Sequence, residues 1–166
     1  MRILPLPTNA VFREMFMVKP ASVLKIVPAF VVLAGLGTTM ALAGPIEDRQ
    51  AAMKQNGKSV GVLVPIFKGE SPYDAAVVKT NAEIIKQDFV KAFASFPPGS
   101  DKGPPETYAK PEIWSDPQGF KAAQETALKA VEALAATTDE AGFKTAMAGL
   151  GDACGGCHTK YRRAKE

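Results

Sequence analysis

From Pro45 to Arg163 the apolar residues recur at three- and four-residue steps, and alternating runs of β-branched residues are absent. That rhythm commits the chain to helices. The first begins near Pro45 or Ile46, where proline suits an opening turn and Glu47 and Asp48 favour the positive helix end. It runs to Lys68-Gly69, with Pro65 expected to kink its last turn. SPYDAA opens the second, with Ser71 as cap, Pro72 in the first turn and Asp74 reaching back. Ala75, Val78, Ala82, Ile85, Phe89 and Phe93 carry its apolar stripe to near Ser95. A Pro/Gly-rich connection over residues 97–117, with Trp114 expected to be buried, leads to a third helix from about Pro117 to Ala136. Thr137 to Glu140 reads as a capping box for the fourth, roughly Asp139 to Arg163, with Phe143, Met147 and Leu150 on one side. Four helices joined short, long, short pack most simply as an all-α, antiparallel (up-down-up-down) four-helix bundle.

Residues 1–43 have a different character. They hold Arg2, Arg13, Lys19 and Lys25 against Glu14, whereas the other 123 residues carry 16 basic and 16 acidic side chains. The basic pI therefore describes a leader, and the balanced body offers no nucleic-acid surface. Lys19 and Lys25 precede an apolar run from Ile26 to Leu36, and Ala41-Leu42-Ala43 supplies a small-residue cleavage site ahead of Gly44. This reads as a secretory signal peptide, 1–43, followed by one domain, 44–166, of an exported, periplasmic protein. The stretch before Lys19 is longer than such a leader needs, so Met15 and Met17 stand beside Met1 as possible starts.

Both cysteines and the sole histidine fall within CGGCH, Cys154 to His158. A zinc site needs four ligands, and this motif supplies three with no other Cys or His in the chain. Thiol–disulfide exchange also uses C-x-x-C, though ordinarily where a strand meets a helix. C-x-x-C-H is moreover the attachment signature of c-type haem: Cys154 and Cys157 add to the vinyl groups and His158 lies under the iron. Export suits haem best, and one covalent haem c is the expected cofactor, with a C-x-x-C thiol oxidoreductase as the remote alternative.

A single histidine excludes bis-histidine ligation. Met147 lies eleven residues before His158 on the same helix and reads as core. Met53, on the first helix, can reach the opposite haem face. Arg49, Met53, Gly57 and Gly61 recur every four residues, which suggests one face with two glycines admitting a macrocycle or a partner helix. No acid–base constellation appears, so an enzyme is not expected.

Taken together, CGGCHTKYRR on a last helix, RQAAMK (Arg49 to Lys54), GESPYDAA (Gly69 to Ala76) and PEIWSD (Pro111 to Asp116) resemble the class II c-type cytochromes, the cytochrome c′ group, over residues 44–166. The resemblance implies thioethers at Cys154 and Cys157, the proximal bond at His158, Arg49 by the haem propionates and Arg162 near the proximal pocket. Met53 falls at the position where members divide. Low-spin members bind a Met sulfur to iron and suit electron transfer with periplasmic redox partner proteins. Five-coordinate, high-spin members admit NO or CO. The expectation here is the Met53-ligated carrier, with gas binding as the alternative. A homodimer through the first two helices is implied by the resemblance alone.

Overall fold

The computed structural model describes residues 44–164; the expected leader lies outside the described residues. The chain runs through α1 (Pro45–Lys68), α2 (Ala75–Phe93), α3 (Glu112–Ser115), α4 (Pro117–Ala135) and α5 (Glu140–Tyr161). The four long helices are those expected, and α3 is a single turn inside the long connection.

Local chemistry sets their ends. Gly69 closes α1 with a positive φ of 77° that suits glycine, and its N–H donates to the Ile66 carbonyl at 3.1 Å. Two expected caps shift. Asp74 caps α2, its Oδ1 accepting from Ala76 N (2.8 Å) and Val77 N (3.1 Å), so Ser71 and Pro72 precede the helix. Asp139 caps α5 by accepting from Gly142 N at 2.8 Å, whereas the Thr137 hydroxyl donates backwards to the Leu134 carbonyl at the end of α4. In both places a carboxylate, a stronger acceptor than a hydroxyl, takes the orphan N–H groups.

Contacts at the helix ends fix the topology. At one end the start of α1 meets the region just past α2 through Arg49 and Ser95, and the start of α4 meets the end of α5 through Asp116 and Tyr161. At the other end Tyr73 donates to the Thr137 carbonyl (3.3 Å) and packs on Phe143. Consecutive long helices therefore alternate in direction, giving the up-down-up-down bundle. Around it α1 packs on α2, α2 on α4 and α4 on α5, whereas α1 and α5 meet least.

Leu63, Ile85, Leu134 and Phe143, one from each long helix, are fully buried in the main core. A second cluster of Ile113, Phe120 and Tyr161 closes the end where α4 begins. Trp114 is only half-buried, its Nε1 donating to the Phe96 and Pro97 carbonyls; Ile113 takes the buried position beside it.

Asp116 ties this end together. One of its oxygens caps α4 by accepting from Gly119 N (3.0 Å), and the other accepts from Lys160 Nζ (2.7 Å) and the Tyr161 hydroxyl (3.2 Å). A Cβ at position 119 would collide with the Asp116 carboxylate and lie 2.7 Å from the Tyr161 hydroxyl oxygen. Gly119→Ala is therefore expected to destabilise the domain by about 1–3 kcal/mol, read as a lower thermal midpoint by circular dichroism. The hydrogen bond from Lys160, then that from Gly119, holds the Asp116 carboxyl below its ordinary value of 3.8. A depressed pKa gives a stabilisation present above that ordinary value and lost as pH falls through the native one. The stability gap between wild type and Asp116→Asn is thus expected at neutral pH and should vanish on acid titration.

Candidate functional site

The loosely packed edge between α1 and α5 holds a cavity of about 1040 Å³. Arg49, Met53, Cys154, Cys157, His158 and Arg162 all line it, joined by Val60, Phe89, Phe93, Phe120 and Leu150 on a mostly apolar wall. The six residues singled out from the sequence come to one place from opposite ends of the chain.

Helical spacing explains the α5 side. Cys154 and His158 are four residues apart and Cys157 three from Cys154, so all three present to the same wall. Cys154 packs against the main core and Cys157 against the second cluster. Burial pushes both thiols above their ordinary pKa, and for Cys157 the neighbouring Cys154 adds to the rise. They sit in the last third of α5, near its negative end, rather than at the helix N-terminus that lowers a thiol pKa. This environment disfavours the thiolate that disulfide exchange requires. His158 is held below its usual value by burial and by the charge of Arg162, which favours the neutral imidazole with its free lone pair. The Arg162 backbone N–H donates to the His158 carbonyl at 3.0 Å to end the helix. Residues 108–110 and 161–163 are then zipped together by Lys110 N to the Tyr161 carbonyl (3.0 Å) and Arg163 N to the Tyr108 carbonyl (2.8 Å).

On the α1 side Arg49 is 4% exposed, so it is not a solvated surface charge. Its guanidinium donates to the Ser95 carbonyl (2.9 Å), the Ser100 hydroxyl (3.0 Å), the Ser100 carbonyl (2.6 Å) and the Thr107 hydroxyl (2.8 Å), and lies over the Phe96 ring. All those acceptors are neutral, and burial draws the Arg49 pKa below its ordinary value. A buried cation satisfied, among the described residues, by neutral dipoles alone leaves room for an anionic group in the cavity it lines.

Met53 is half-buried, packs on the main core and lines the same cavity. Asn56 Nδ2 donates to its Sδ at 3.9 Å. Of the expected face of Arg49, Met53, Gly57 and Gly61, the first three line the cavity and Gly61 is exposed; among the described residues a Cβ at either glycine would meet nothing within 4 Å. Steps of four advance about 40° around a helix each time, so such a row drifts off its face. The buried row is Arg49, Ala52, Asn56, Ser59, Leu63 and Ile66, which alternates steps of three and four. Thr107 and Asn56, which line the cavity, and Ser100, which holds Arg49, were missed from the sequence. Only Asn56 had a signal, its place in that alternation.

The donor set and the cavity fit haem c: two thiols and an imidazole on one helix, a thioether on another, a buried cation in the lining, and a volume just above the roughly 300–1,000 Å³ of ligand pockets. The family model described as Cytochrome C' matches residues 44–162. Cytochrome c-556 of Agrobacterium fabrum is 44% identical over 126 residues, covering 74% of this chain and 84% of that protein. A crystal structure of cytochrome c' from Rubrivivax gelatinosus is 38% identical with a TM-score of 0.67, covering 72% of this chain and 94% of that one. A nitric oxide complex of a variant of cytochrome c prime from Alcaligenes xylosoxidans is 34% identical with a TM-score of 0.68, covering 75% and 99%. In this fold the Arg49 network pins the 95–107 loop to α1. Arg49→Leu is expected to cost about 1.5–3 kcal/mol, the worth of a charged hydrogen bond, and to speed amide exchange around Ser100 and Thr107, checked by urea denaturation and hydrogen–deuterium exchange.

Proposed function

The chain belongs to the cytochrome c′ family and carries haem c, and on that premise we propose that it is a periplasmic electron carrier whose iron is held by His158 and Met53. What supports this reading is that Met53 of α1 and His158 of α5, on different helices, both line one cavity. Cys154 and Cys157 would form the thioethers that fix the macrocycle to α5. Arg49, a buried cation in the cavity lining, would hold a propionate, and the charge of Arg162 would keep the His158 imidazole neutral for the iron. The bound group supplies a one-electron ferric–ferrous couple.

This chain's residues keep the cost of each transfer low. A thioether and a neutral imidazole suit both oxidation states, so little has to move when charge changes. The apolar wall of Val60, Phe89 and Leu150 excludes water that would otherwise reorganise around the iron. Residues 1–43 direct export and are removed ahead of Gly44. Redox partner proteins meet the domain in the periplasm. A homodimer through α1 and α2 has apolar surface to use, since Val62, Phe67 and Val90 are exposed there.

A second reading, five-coordinate iron that binds NO or CO, draws support from the nitric oxide complex of the Alcaligenes relative. The two part at Met53. Under the carrier reading the wild-type holoprotein is low-spin and slow to take up CO, whereas Met53→Ala becomes high-spin and binds CO readily. A high-spin wild type whose spectrum Met53→Ala leaves unchanged establishes the gas-binding reading instead.

A further inference from the structure

Asn56 is 7% exposed and occupies a row of α1 in which Ala52, Leu63 and Ile66 are core residues. Its Nδ2 donates to Met53 Sδ at 3.9 Å, and its Oδ1, also buried, has no hydrogen-bond partner among the described residues. For stability alone this is a poor choice. A half-satisfied buried amide loses hydration it does not recover, whereas leucine would fill the position with apolar contact. What the amide obtains is the thioether one turn back on the same helix. Local rules broken without structural gain tend to mark functional positions.

A thioether sulfur is a weak acceptor with two lone pairs. A hydrogen bond to one holds the side chain in a single rotamer, leaves the other free for the cavity and withdraws electron density from the sulfur. The positive end of the amide dipole also points towards the site. Both effects oppose the accumulation of positive charge on the iron side of the sulfur.

We propose that Asn56 is a positioning residue that sets how strongly Met53 donates to the haem iron, orienting the sulfur and raising the reduction potential. This rests on the Met53 ligation proposed above. Without the Asn56 N–H, the sulfur is a better donor to ferric iron and the couple shifts towards the oxidised form.

The test uses the holoprotein with Asn56→Leu, which fills the core position, and Asn56→Ser, which keeps a polar group too short to reach the sulfur. Reduction potential and the near-infrared sulfur-to-iron charge-transfer band are measured beside thermal stability. Both variants are expected to shift the one-electron equilibrium three- to tenfold towards the ferric form, up to ~59 mV, and to move the charge-transfer band, with Asn56→Leu at least as heat-stable as wild type. If Asn56→Leu fails to fold, Asn56→Ser decides the matter by the same two readouts. A wild type that shows the band, with variants keeping its position and the potential, overturns the role of Asn56 and leaves Met53 ligation standing. A wild type without the band overturns the ligation first, and this inference with it.

Discussion

A four-helix bundle normally packs all four edges of its square, and this one leaves the edge between α1 and α5 apart. The cleft of roughly 1040 Å³ there, open to solvent and lined mostly by apolar side chains, is room for a large cofactor, and the other features of this end follow from keeping that edge open. The far end is packed by Leu63, Leu134 and Phe143, while the core residues Ile85, Phe89 and Leu150 also line the cavity. The near end is held by polar ties: Arg49 to the 95–107 loop, and Asp116 between α4 and α5.

Those ties also clamp the end of α5, which carries Cys154, Cys157 and His158. The last turns of α5 are clamped by the Asp116 knot and by backbone pairing of residues 161–163 with 108–110. Two thiols and an imidazole are thus presented on a rigid helix end rather than a fraying tail. Opposite them, α1 presents Arg49, Met53 and Asn56 within two turns, two of them buried polar groups in what would otherwise be a core face. Stability is spent along that short stretch to hold charge and dipoles toward one cavity.

Much of this was legible in the sequence, for a local reason. Helix positions came from three-and-four periodicity, and CGGCH carries its chemistry in five neighbouring residues. The failures were of two kinds. Cap assignment erred at Ser71 and Thr137 because Asp74 and Asp139 competed within three residues, and the carboxylates won. Gly61 misled because a row of fours resembles a face over one or two turns and leaves it over three. What could not be read were partners distant in sequence: Thr107 under Arg49, and Tyr161 against Asp116 and Gly119. Such pairs depend on how the long connection returns across the bundle, and no local pattern encodes that path.

The central claim is that one iron lies between the imidazole of α5 and the thioether of α1. X-ray absorption at the iron edge, recorded on the matured holoprotein in both oxidation states, addresses it without any substitution. The account predicts one sulfur scatterer alongside five nitrogens, retained on reduction. A shell of five nitrogens with no sulfur in either state would contradict it.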